Sequence, residues 1–176
     1  MKYLLATAAA VATLTGLAAA APASAQSEVT GSIGWSRTDT GDTNLDAVTG
    51  RVRWTSGYFG VEGEVSGGVG SDDVTVGGTT FKAKLRDQAA IYGVGKVPMG
   101  ANADLFARVG YGTSKFSGSA FGGTVTGSEE SWNYGVGGEY YFDGKNGVRA
   151  DYTRQEFTGD NSGHADVWSI AYSRRF

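Results

Sequence analysis

Between Val29 and Phe176 the chain repeats one pattern eight times: large apolar residues at every second position, with most charged residues on the opposite parity. A period of two belongs to a strand with two unlike faces and is incompatible with an amphipathic helix. The apolar sets are Val29, Gly31, Ile33, Trp35; then Val48, Gly50, Val52, Trp54; then Phe59, Val61, Gly63, Val65. The fourth, Ala90, Tyr92 and Val94, is the least regular, and Asp87 falls on its other parity. Leu105, Ala107, Val109, Tyr111 and then Trp132, Tyr134, Val136, Tyr140, Phe142 follow. Val148, Ala150, Tyr152 and finally Trp168, Ile170, Tyr172, Phe176 complete the eight. The predicted fold is all-β, an eight-stranded antiparallel up-and-down transmembrane β-barrel.

The connections alternate in length. Thr55-Ser56-Gly57, Pro98 to Asn102 and Asp143 to Asn146 are tight, whereas Thr38–Asp46, Gly67–Thr80, Lys115–Glu130 and Thr158–Ala165 are longer and rich in Gly, Ser, Thr and Asp. Short turns at one end and long polar loops at the other are typical of outer-membrane barrels, whose strands cross in ~9–11 residues. Backbone groups cannot stay unpaired in hydrocarbon, so such a sheet has to close on itself. Trp35, Trp54, Trp132, Trp168, Tyr111, Tyr140, Phe142 and Phe176 lie near strand ends, where aromatic girdles meet lipid headgroups.

The charged parity decides which face is inside. Arg51, Arg53, Glu62, Glu64, Asp87, Arg108, Glu139, Arg149 and Asp151 all oppose the aromatic face. An arginine turned to lipid at mid-membrane costs ~2–4 kcal/mol, whereas inside a barrel it can pair with a carboxylate. The tight turn after Thr55 sets Arg51 and Arg53 beside Glu62 and Glu64. Eight strands enclose an interior that side chains just fill. The expectation is a lumen plugged by ion pairs. A soluble ligand-binding barrel with this parity facing water has the same period; the terminal phenylalanine, the loop asymmetry and the aromatic placement favour the membrane.

Residues 1–25 read as an export signal: Lys2, an apolar run from Leu4 to Ala21, and alanines at 23 and 25 where a signal peptidase reads. Removal leaves 26–176 as the barrel. The signal takes one of 15 basic residues and none of 18 acidic ones, so the remainder carries −4, which argues against nucleic acid. The chain has no cysteine and one histidine, so cofactors and metals are not expected. Asp72-Asp73 lacks the spacing of a calcium loop. His164 stands near Ser162 and Asp166, a set that a polar loop assembles by chance, and no enzyme activity is expected. Asp39, Asp42, Glu129, Glu130 and Asp160 read as a solvated acidic surface, with cation-bridged contact to lipopolysaccharide as the alternative.

Two stretches are more specific: Ile91-Tyr92-Gly93-Val94-Gly95-Lys96-Val97-Pro98 running into Leu105-Phe106-Ala107-Arg108-Val109-Gly110-Tyr111, and the ending Ala171-Tyr172-Ser173-Arg174-Arg175-Phe176. With the signal they resemble the small outer-membrane β-barrel (porin-family) proteins, related in architecture to the transmembrane domain of outer membrane protein A. The resemblance implies a Gram-negative outer-membrane location with both termini periplasmic. It also implies that Tyr172 and Phe176 belong to a C-terminal signal read by the barrel-assembly machinery. Arg174 departs from the family's apolar alternation, and at a membrane rim its charge can snorkel to headgroups.

The first expectation for function is a non-enzymatic, monomeric barrel with a structural or envelope-integrity role among outer-membrane lipid and lipopolysaccharide. The alternatives are a surface adhesion or recognition barrel acting through its loops, and a narrow porin-like channel, which the interior charges oppose.

Overall fold

The computed structural model describes residues 27–41, 44–69, 72–76, 79–120, 123–158 and 163–176, with side chains described outside 70–86 and 116–126. The export-signal segment, Asp42, Asp160, Ser162 and the side chains of Asp72 and Asp73 lie outside that set. Nine strands are present among the described residues. β1 (Ser27–Asp39), β2 (Asn44–Ser56), β3 (Phe59–Gly68), β8 (Asn146–Phe157) and β9 (His164–Arg175) are of ordinary length. β5 (Thr79–Pro98), β6 (Ala103–Ala120) and β7 (Gly123–Tyr141) run 20, 18 and 19 residues, and β4 (Asp72–Val76) is a short strand laid on β5.

Each strand pairs antiparallel with its neighbours, and β3 passes over β4 to pair with β5 from Phe59↔Gly95 to Gly67↔Asp87. The first and last strands meet from Thr30↔Arg175 to Asp39↔Asp166. The ring is thereby closed: an eight-stranded antiparallel barrel with β4 as an appendage. Closure leaves no strand edge at membrane depth, which is the condition for a sheet to cross lipid. At the short-turn end, Gly57 and Gly144 hold φ of 63° and 78°, values that a side chain would strain.

The inside and outside faces follow the predicted parity on seven strands. Val29, Ile33, Trp35, Leu105, Val109, Trp132, Val136, Trp168 and Ile170 are exposed on the wall, while Arg51, Arg53, Glu62, Glu64, Arg108, Glu139, Arg149 and Asp151 are buried within. The fourth barrel strand, β5, is the exception. Tyr92 and Val94 are buried inside, Ile91 and Val97 face outward, and Asp87 is exposed rather than interior. The physical reason is polar: the Tyr92 hydroxyl donates to Glu64 Oε1 at 3.3 Å and accepts from Asn133 Nδ2 at 3.2 Å, partners found only in the lumen. Asp87, on the other parity, stands opposite Lys115 just past a register shift in β5.

The long connections also differ from expectation. Most of Lys115–Glu130 is strand, since β6 continues to Ala120 and β7 begins at Gly123, and β4 and β5 take up most of 69–85. Beyond the membrane both faces of a ribbon are polar, so the alternation that marks a strand disappears while its backbone pairing persists.

Candidate functional site

The lumen and the two rims hold the polar chemistry. At mid-height four arginines meet four carboxylates, so the interior set is formally neutral. Glu62, fully buried, accepts from Arg108 Nη1 at 2.7 Å and from Arg149 at 2.5 and 3.0 Å. Arg51 donates to Glu64 at 2.5 Å, and Arg108 reaches Glu64 at 2.8 Å and Asp151 at 3.1 Å. Arg149 also donates to Asp151 at 2.7 Å. Arg53 stands opposite Glu62 in the ladder, as the turn predicts, yet its hydrogen bond goes across the lumen to Glu139 and leaves Glu62 at 3.9 Å. Adjacent register is therefore not the same as partnership in a closed ring.

Aromatic rings cover the flat faces of these cations. The Arg108 guanidinium lies 4.3 Å from the Tyr92 ring centroid, and Arg149 lies 4.3 Å from that of Phe106, on which Arg53 also bears at 5.4 Å. Such contacts attract a cation through the ring face and leave its in-plane N–H groups turned to the carboxylates. Phe106 needs room, and Gly137 on β7 supplies it: a Cβ there would fall 2.5 Å from the ring.

A second cluster, not foreseen from the sequence, closes the short-turn end. Lys96 bridges Glu28 at 2.8 Å and Asp104 at 3.5 Å, while Arg175 reaches Glu28 at 3.2 Å and Asp104 at 2.5 Å. The Arg175 guanidinium sits 3.6 Å from the Tyr141 ring centroid. Its only sequence signal was the interior parity of Asp104 and Arg175. Above the central charges the lumen changes character, with the Ser36, Thr49 and Ser66 hydroxyls joined at 2.7 and 2.8 Å. At the outer rim Tyr111 donates to Glu130 and Tyr152 to Asp166, each at 2.7 Å.

The remaining predicted residues lie apart from the lumen. Tyr172 and Phe176 are on the outer wall, 46% and 78% exposed, and the Phe176 ring comes within 3.3 Å of where a Gly31 Cβ would stand on β1. The last side chain thus rests on the first strand. His164 opens β9 opposite Glu156 and is exposed. Among the described residues no three His, Asp or Glu groups converge as a metal set.

Two layers of charge pairs and three aromatic rings occupy the cross-section, so purified protein in planar bilayers is expected to give no reproducible channel. Discrete, solute-selective conductance at neutral pH is the outcome that contradicts it.

The sequence matches the family described as "Outer membrane protein beta-barrel domain" over residues 6–176. No curated protein matches it. Among solved structures the fold is similar to that of Ail, the attachment invasion locus protein of Yersinia pestis, in complex with the heparin analogue sucrose octasulfate. The TM-score is 0.64 at 19% identity, covering 86% of this chain and 99% of that one. A major outer membrane protein of Thermus thermophilus follows at 0.61 and 13%, covering 84% and 99%. The N-terminal β-barrel domain of Pseudomonas aeruginosa OprF gives 0.57 and 9%, again covering 84% and 99%. At these identities the likeness concerns the fold.

Proposed function

Since the chain belongs to the outer membrane protein β-barrel domain family, we propose that it is a non-enzymatic surface recognition barrel acting through the sheet that stands above the membrane. In this reading 1–25 is removed on export, the short turns and both termini face the periplasm, and the long strands reach outward. The observation that carries it is the length of β5, β6 and β7, about twice the ~9–11 residues that a crossing needs. Their surplus, with β4, makes a four-stranded sheet on one side of the barrel mouth only. A purely structural barrel has no need of it.

The edges suggest the mode of recognition. Among the described residues β4 pairs with β5 alone, and β7 meets the β8 side from Glu130 onward, which leaves Gly123–Glu129 with β6. Open edges offer backbone donors and acceptors to an extended peptide segment. Acidic residues at 72–73 and 129–130 would discourage indiscriminate edge pairing. Charge further narrows the partner. Segments 37–46, 69–87, 115–130 and 154–166 together carry 11 acidic and six basic residues. A polysulfated ligand of the kind bound to Ail would be repelled here. The refolded protein is accordingly expected to pass through a heparin column at physiological salt; retention would point to a different outer face.

The test is to trim both ribbons, replacing 70–84 and 117–126 with tight turns, and to score adhesion of expressing cells to host cells and matrix proteins. Loss of adhesion with a heat-modifiable, folded barrel is expected. Unchanged adhesion, with detergent sensitivity appearing on deletion of the whole protein, would favour the envelope-integrity reading.

The C-terminal strand bears the assembly reading. Deleting Phe176 is expected to lower the yield of folded barrel in cells more than it lowers refolding in detergent, because the machinery reads the terminal aromatic. Equal loss in both would leave Phe176 as packing on Gly31.

A further inference from the structure

The outer wall carries a feature that the recognition reading does not use. A groove of about 460 Å³ runs down the wall over β6 to β9, lined on its lipid-facing side by Met99, Leu105, Gly138, Tyr140, Val148 and Ile170. It exists because Gly138 has no side chain between its ladder partners Leu105 and Ala150, and Ala150 has only a methyl. The groove reaches the β5–β6 turn at Met99, so it lies at the short-turn end.

Two cations flank its lower end. Arg174 is exposed on the wall, two positions beyond Tyr172, and pairs in the ladder with Asn146. Lys145 is exposed in the preceding turn, and its carbonyl accepts from the Arg175 N–H at 2.8 Å. Val148, which lines the groove, is the ladder partner of Tyr172. Neither cation has a carboxylate within 4.0 Å among the described residues, whereas the other basic clusters of this rim are paired. The nearest candidate in sequence, Asp143, is committed to its turn. Donation from the Asn146 N–H and side chain and from the Lys145 N–H holds its carboxyl at about 2. Phe142, Tyr140 and Phe176 form the aromatic belt at this level, which places the cations at headgroup depth.

We propose that this groove and the Arg174–Lys145 pair form a binding site for one anionic phospholipid of the periplasmic leaflet, an acyl chain in the groove and the phosphate on the two cations. The proposal rests on the orientation proposed above. A barrel wall is convex, so a second copy would touch it along a line and leave a notch unfilled. A flexible hydrocarbon chain follows the notch and removes its apolar surface from looser contact.

The experiment uses full-length mature protein refolded in detergent with equal amounts of phosphatidylglycerol and phosphatidylethanolamine, bound lipid being counted by native mass spectrometry. One phosphatidylglycerol per barrel is expected in preference to phosphatidylethanolamine. Arg174→Gln and Lys145→Gln are each expected to lower that preference about fivefold, from the attraction of one surface cation to anionic lipid. Gly138→Leu, which fills the groove, should reduce retention of both lipids. Lys145 lies in a turn, so its variant remains informative even if Arg174→Gln refolds poorly. Equal retention of the two lipids by the unaltered chain overturns the proposal, as does an unchanged preference in Lys145→Gln. A barrel dimer that disappears with Gly138→Leu would overturn it by putting a second copy in the groove. Labelling of Lys145→Cys from outside intact cells would instead overturn the orientation, and loss of adhesion bears only on the outer sheet.

Discussion

Replacing Glu62 by alanine is expected to cost about 3–5 kcal/mol of barrel stability, the range for removing one partner from a fully buried ion pair. Glu62 has no exposed surface and is shared by Arg108, Arg149 and, more distantly, Arg53. Its loss leaves four arginines facing three carboxylates in a narrow space that water enters poorly. The intact network need not be strongly stabilising, because desolvation offsets much of its attraction; the penalty comes from the orphaned charge. Urea unfolding in detergent micelles measures it. A double-mutant cycle then identifies the partner: Arg149→Ala added to Glu62→Ala should recover part of the loss, and Arg53→Ala should recover little. Recovery with Arg53 and none with Arg149 would mean that the ladder neighbours are the real couple.

Gly137→Ala is expected to be the second costly change, at about 1–3 kcal/mol, as for added volume in a filled core. The new methyl would stand 2.5 Å from Phe106 Cζ, 2.6 Å from Asp151 Cβ and 2.7 Å from the Ala150 carbonyl oxygen. The ring can tilt, but two of the three neighbours belong to the paired strand and cannot. A tilted ring would also lose its place beneath Arg149 and Arg53. Phe106→Leu in the same chain should relieve part of the crowding, and thermal unfolding of the single and double variants gives the comparison. A neutral Gly137→Ala would show that the lumen has slack.

These residues also mark how far the sequence could be read. Seven strands declared their faces because charges or hydroxyls dominated one parity and large apolar residues the other. β5 did not, since Ala90, Tyr92, Val94 and Ile91, Gly93, Val97 are both apolar sets, and the charges that flank them, Asp87 and Lys96, fall on opposite parities. What decides between them is the hydroxyl of Tyr92, whose partners are Glu64 on the adjacent strand β3 and Asn133 on β7, two strands away and within reach when the sheet curls. The same limit applies to the ion pairs. The turn after Thr55 brings Arg51 beside Glu64, to which it bonds, but Arg53 with Glu139 and Arg149 with Glu62 cross the lumen and depend on its diameter. The lower cluster escaped notice because Glu28, Lys96, Asp104 and Arg175 come from four different strands. Pattern along a strand is local; pairing across a ring is not.

The seam between β1 and β9 has a kinetic consequence. Apart from β3 with β5, every other strand pairing is a hairpin between neighbours in sequence, and loops of that size close in microseconds. Thr30 and Arg175 must instead find each other from opposite ends of the chain. Synthesis delivers the first strand long before the last, so the early strands have to wait with unsatisfied edges until the last strand arrives. Contacts of such high order pay their entropy before they return any enthalpy, which makes closure the natural slow step and the waiting hairpins the species most exposed to aggregation. A barrel that is stable once shut therefore spends its most vulnerable interval as an open ribbon, and the residues that shorten that interval are those at its two ends.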